Sequence, residues 1–196
     1  VLLDLGGVVL GISVAQVFRT WAARAKVDSA HFKRNWVMDE AYELHETGAI
    51  DFAEYARRQS KHFGVAMALE DWQAGWNAIW TEPLAQVVTL LPELAKRYAL
   101  YAFSNTNAVH AAAFNQQYPD TLAHFEKLFL SHEIGARKPD PAAFATVCQY
   151  IDTKPQDVLF IDDNGDNVAG ARTAGLDAHH LFDESDIATK LAALLD

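Results

Sequence analysis

Apolar residues follow two different rhythms along this chain. Val1 to Leu3 is a short apolar run that stops at Asp4 and gives way to Gly6-Gly7, the pattern of a buried strand ending in a glycine loop. From about Ser13 to Arg97 apolar positions recur three and four residues apart, which predicts helices. Within that stretch Trp72, Trp76 and Trp80 are spaced by four, so they are expected on one helix face, buried as core. After Leu94 the rhythm changes to short apolar runs separated by polar turns and helical stretches. Strands are expected over Tyr98–Phe103, Leu128–Leu130, Val158–Ile161 and Ala178–Phe182. Helices are expected from Ala108 to Gln117, after Asp140-Pro141 as N-cap and first-turn proline, and from about Asn167 to Ala174 before Gly175.

Strands alternating with helices demand right-handed crossovers and a parallel sheet covered on both faces. The expected fold is therefore α/β, a doubly wound parallel sheet with a small helical cap inserted after the first strand. Residues 1–12 and 92–196 would form the core and residues 13–91 the cap.

Composition narrows the partners. The 196 residues are 51% hydrophobic, and 16 Lys plus Arg against 26 Asp plus Glu leave a formal charge of −10. Such a chain lacks the basic face that nucleic acid requires, so no nucleic-acid partner is expected. No run approaches the roughly 18 apolar residues of a membrane span, so no membrane partner is expected either. The single Cys148 can form no internal disulfide, which fits a reducing, cytoplasmic setting.

In doubly wound sheets ligands bind beyond the carboxyl ends of the strands, where this chain places Asp4, Ser104, Lys138 and Asp162-Asp163. Asp4 is a candidate carboxylate nucleophile, and Asp162 with Asp163 can hold a hard cation such as Mg²⁺. Lys138 offers positive charge for a phosphoryl group. Ser104 and the amides of Asn105 and Thr106 head a helix, where free N–H groups favour an anion. Together they describe a phosphoryl-transfer site.

Four motifs in order carry a resemblance to the haloacid dehalogenase superfamily: Asp4-Leu5-Gly6-Gly7-Val8; Ser104; Lys138-Pro139-Asp140-Pro141; and Ile161-Asp162-Asp163-Asn164 continuing through Asn167, Gly170-Ala171-Arg172 and Ala174-Gly175. Within it the chain is similar to the bacterial α-D-glucose-1-phosphate phosphatase type and, more distantly, to the phosphatase domain of soluble epoxide hydrolase. The resemblance implies a Mg²⁺-dependent phosphatase acting on a small phosphorylated metabolite, with a sugar phosphate as one candidate. It implies Asp4 as nucleophile, Ser104 and Lys138 as catalytic partners, Ser104, Asn105, Thr106 and Lys138 as substrate ligands, and metal held by Asp4, Gly6 through its carbonyl, Asp163 and secondarily Asp162. One position departs from the full phosphatase pattern: a second Asp, the family's general acid/base, is replaced by Gly6. Loss of such a group typically costs about 10²- to 10⁴-fold. His110 and His45 are candidate substitutes. Two other functions compete, a metal-independent haloacid dehalogenase and a catalytically weak binding or regulatory module.

Overall fold

The computed structural model describes residues 1–196. The chain opens with β1 (Leu2–Leu3) and β2 (Leu10–Ile12), then runs through α1 (Val14–Ala25), α2 (Ser29–Asn35), α3 (Glu40–Glu46), α4 (Phe52–Phe63) and α5 (Leu69–Asn77) to β3 (Trp80–Pro83). Next come α6 (Ala85–Val88), α7 (Leu91–Arg97), β4 (Tyr101–Ser104), α8 (Ala108–Gln117), α9 (Pro119–Leu122), β5 (Lys127–Leu130) and α10 (Ser131–Ile134). The last part contains α11 (Pro141–Tyr150), β6 (Leu159–Asp162), α12 (Gly165–Thr173), β7 (Asp177–His180) and α13 (Glu184–Ala192). No helix is long and apolar enough to cross a membrane.

Five strands form one parallel sheet in the order β5-β4-β1-β6-β7. This is the expected doubly wound α/β sheet. Because side chains alternate across a strand, neighbouring residues feed opposite layers. Leu3, Ala102 and Ile161 join the cluster that holds Val87, Leu91 and Ile187, whereas Leu2, Phe103 and Phe160 join Phe144, Val147 and Val168. Burial on both faces explains why these strands read as continuous apolar runs rather than alternating ones. The short β1 lies at the centre, with Leu3 in register with both Ala102 and Ile161.

A third cluster draws only on residues 17–76. Helix α1, capped by the Ser13 hydroxyl, contributes Val17, Phe18 and Trp21 to it. Trp21 lies parallel to Trp76, with centroids 5.7 Å apart, and its indole N–H donates to the Trp72 carbonyl at 2.9 Å. Trp72 and Trp76 share the buried face of α5, but Trp80 does not. It opens β3, which pairs antiparallel with β2. The helical spacing of the tryptophans thus runs past the true end of the helix, and the two-stranded ribbon is absent from the helical reading of residues 13–97. Smaller shifts have local causes. Tyr98 still caps α7, so β4 begins at Tyr101, and the Asn164 side chain accepts from the Asp166 and Asn167 amides, so α12 starts two residues early.

Candidate active site

The register that aligns Leu3 with Ala102 and Ile161 brings the carboxyl ends of β1, β4 and β6 together. Asp4 continues the ladder by donating its amide to Ile161 O at 2.9 Å, which puts it beside Asp162. Between the two carboxylates lies Lys138, 1% exposed. Its Nζ donates to Asp4 Oδ1 at 2.8 Å, to Asp162 Oδ2 at 2.6 Å and to the Phe103 carbonyl at 2.7 Å. An ammonium has three N–H groups, and here each has a partner. Burial alone would lower the Lys138 pKa, yet Asp4 and Asp162 outweigh it and hold it above the ordinary lysine range.

Lys138 is fixed through its backbone as well. The Asn105 side chain donates to Lys138 O and accepts from Lys138 N, both at 2.8 Å. Asp162 is equally constrained: Asn164 N donates to its Oδ1 at 2.8 Å, and Asn167 Nδ2 lies 3.0 Å from both oxygens. Asp163 is freer, half-buried and set against Gly7, where φ is +84° and a Cβ would lie 2.3 Å from Asp163 Oδ2. Only glycine keeps that carboxylate in place. Ligand oxygens of Asp4, Asp162 and Asp163 lie within 4.8 Å of one another. With one ammonium among three carboxylates the site carries surplus negative charge. Burial, reinforced by Asp162, raises the pKa of Asp163, and burial pushes Asp4 up to about 7 against the pull of Lys138. A hard dication fits this donor set, since it would relieve that repulsion with oxygen ligands.

Asp4, Gly6, Ser104, Asn105, Lys138 and Asp163 line one cavity of about 720 Å³. Thr106 does not line it. Its amide, expected to be free for an anion, donates to Ser131 Oγ at 2.8 Å, and α8 begins only after its cap Asn107. His110 does line the cavity, but its Nε2 is 3.1 Å from Trp76 O and its Nδ1 is 3.2 Å from Asn107 Nδ2. Donating to the carbonyl and accepting from the amide defines a neutral ring, and burial drives its pKa down to about 3. It is therefore held as a structural imidazole. His45 is buried and stacks on Tyr55 at 4.7 Å.

Arg137 and Ser131 were not singled out from the sequence, and both bond to Glu46 at the end of α3. Arg137, immediately before Lys138, donates from Nε to Glu46 Oε2 at 2.9 Å, and Ser131 Oγ donates to Glu46 O at 2.6 Å. These bonds join α3 to the sheet across more than 80 positions of sequence. Adjacency to Lys138 was the one local signal.

A family model for haloacid dehalogenase-like hydrolases matches residues 1–175. The chain belongs to this family. Among similar proteins, D-ribitol-5-phosphate phosphatase from Bacteroides thetaiotaomicron is 20% identical over all of this chain and 98% of its own. Sesquiterpene phosphatase astK from Aspergillus oryzae is 30% identical over 58% of each chain. The solved magnesium complex of a family enzyme from Bacteroides thetaiotaomicron superposes with a TM-score of 0.79 at 25% identity, covering 92% of this chain and 91% of that one.

Proposed function

We propose that this haloacid dehalogenase-like hydrolase is a Mg²⁺-dependent phosphatase that cleaves a small phosphomonoester through an aspartyl-phosphate on Asp4. The observation that carries the reading is the buried Asp4–Lys138–Asp162 array beside the freer Asp163, opening on the cavity. Relatives named for a sugar-alcohol phosphate and for a sesquiterpene span a wide range of leaving groups, and a similar family enzyme has been solved as a magnesium complex. Asp4, Asp163 and the Gly6 carbonyl would hold Mg²⁺, with Asp162 in support. Bound there, the ion supplies charge neutralisation for the phosphoryl oxygens.

The chain's own residues divide the remaining tasks. Lys138 favours the ionised form of Asp4 against burial and aims it, since its three N–H groups already point at Asp4, Asp162 and Phe103 O. Asp4 attacks phosphorus in line, the P–O bond to the alcohol breaks, and the alkoxide departs. Ser104 and Asn105 border the phosphoryl position, and Asn105 keeps Lys138 in place. Water then attacks phosphorus, the P–O bond to Asp4 breaks and returns its carboxylate, inorganic phosphate leaves, and the proton that water gives up balances the one the alkoxide takes from solvent. Gly6 offers the leaving oxygen no proton. Residues 13–91 are proposed to supply the cap that closes over this site, its own core drawn from residues 17–76, while Val87 and Leu91 at the end of the segment pack into the sheet's cluster.

A dehalogenase would have to bring a carboxylate substrate up to three acidic side chains, which their surplus charge opposes. Purified protein is to be assayed on p-nitrophenyl phosphate and a panel of phosphomonoesters with Mg²⁺ or EDTA, beside Asp4→Asn. We expect turnover only with Mg²⁺ and loss by at least about 10³-fold in Asp4→Asn. Turnover that survives EDTA sinks the proposal, and inertness towards every ester turns the protein into a binding module.

A further inference from the structure

The cavity is chemically divided. One end holds the acidic array, whereas the wall contributed by the ribbon and the helical segment is Ile12, Val17, Phe18, Trp36, Met38 and Trp80. Polar side chains also reach this part, and most of their polar atoms are turned to partners within the protein. Arg137 donates to Glu46 and Glu43, Glu46 accepts from Arg137, and His110 uses both ring nitrogens within the protein. Tyr42 sits beside Glu46. The indole N–H groups of Trp76 and Trp80 have no partner within the protein but almost no accessible surface, so they are scarcely presented to a ligand.

A polyhydroxylated leaving group entering here would give up its water and recover few hydrogen bonds, which penalises a polar guest more than an apolar one. The mouth of the cavity is apolar too. Val14 and Met38 line it and are 42% and 68% exposed, and Ile12 beside Gly6 is 41% exposed. Large aliphatic side chains left in water around a concave site mark where an apolar ligand sits.

We infer that the leaving group is an apolar alcohol, so that the substrate is an alkyl-, prenyl- or aryl-type phosphomonoester rather than a sugar phosphate. This inference rests on the phosphatase reading above: the anionic end of the ester is held at Asp4 and its hydrocarbon end lies along Phe18, Trp36 and Trp80. Hydrolysis of such an ester uses one water and yields inorganic phosphate and the free alcohol, so this step would follow a reaction that builds a phosphorylated hydrophobic alcohol.

The test is a series of primary alkyl phosphates from methyl to octyl, below micelle-forming concentrations, against a linear hexitol phosphate with the same primary P–O bond. With Mg²⁺ present, kcat/KM is expected to rise about threefold per methylene until the cavity is filled. Hexyl phosphate should exceed the hexitol phosphate by on the order of 100-fold. The double variant Val14→Gln, Met38→Gln, on exposed positions that do not endanger folding, should reduce the octyl-to-methyl ratio about tenfold. A flat chain-length series, a preferred hexitol phosphate, or an unmoved ratio in the double variant overturns the inference while leaving the phosphatase intact. If p-nitrophenyl phosphate is also inert, the phosphatase reading falls and takes this one with it.

Discussion

At the scale of single residues, the proposed mechanism makes Gly6 the position that decides which leaving groups the site can handle. It has no unusual φ, and a Cβ there would meet Ile12 Cγ2 at 3.2 Å, close enough to ask for a few tenths of an ångström from a half-exposed side chain. Gly6→Asp is therefore expected to fold and to raise kcat on alkyl phosphates by at least about tenfold, with little gain on p-nitrophenyl phosphate, whose phenolate departs without a proton. Equal gains on both, read from kcat on the two esters, would show that protonation does not limit the rate. His110 supports a second expectation. Its folded pKa of about 3 lies below the unfolded 6.5, so between these values the unfolded chain binds the extra proton and stability drops as pH falls. The slope is up to about 1.4 kcal/mol per pH unit. Asp4 acts oppositely, its carboxyl being raised to about 7, so that stability declines as pH rises through the interval above 3.8. Urea unfolding of wild type and His110→Gln from pH 7 to pH 4 separates the two: the difference between the proteins should shrink on acidification. A difference independent of pH refutes the neutral buried ring.

At the scale of elements, the end of α3 anchors the helical segment to the sheet. Gly48 has φ +74°, and a Cβ there would stand 2.5 Å from the His132 carbonyl, beside the Ser131 hydroxyl that bonds Glu46 O. Gly48→Ala meets both a left-handed backbone and a clash with main chain. It should cost about 1–3 kcal/mol and raise KM as Glu46 draws away from Arg137. Gly64→Ala is the control, since φ is +65° but nothing lies within 4 Å; it should cost less and leave KM alone. Similar KM values in the two variants would refute the anchor. This same joint shows what the sequence could convey. Asp4, Ser104 and Asp162-Asp163 were legible because each ends a short buried run, and in a parallel sheet such ends converge, whereas Lys138, in the loop between α10 and α11, was legible only through the Pro139-Asp140-Pro141 motif that follows it. The bond from Ser131 to Glu46 was not legible, because nothing local couples positions 85 apart. The β2–β3 ribbon was hidden for a related reason: its strands are three and four residues long, lie on either side of five helices, and Trp80 falls by chance on the spacing of α5. Of the residues expected to serve the ligand or to replace the missing acid/base, Thr106 and His110 were instead claimed by long-range partners, Ser131 and Trp76.

At the scale of the whole molecule, a formal charge of −10 and an anionic substrate pull against each other. The site itself adds to the conflict, since Lys138 offsets only part of the charge on Asp4, Asp162 and Asp163. Attraction for a phosphate ester must then come from a cation bound locally, with long-range steering of the wrong sign. Binding of Mg²⁺ to the folded state alone stabilises it by about 2.7 kcal/mol at 100 times its Kd. For a chain of this size that raises Tm by roughly 5–10 °C. The same ion also screens the acidic surface, so the comparison needs NaCl at matched ionic strength. We expect thermal unfolding of the wild type to shift upward with Mg²⁺ well beyond the NaCl control, and the excess to vanish in Asp163→Asn, whose amide keeps the shape and removes the ligand charge. An excess that persists in Asp163→Asn would place the cation elsewhere on the acidic surface, and no excess in the wild type would mean that net repulsion, rather than a bound metal, governs how this protein meets its substrate.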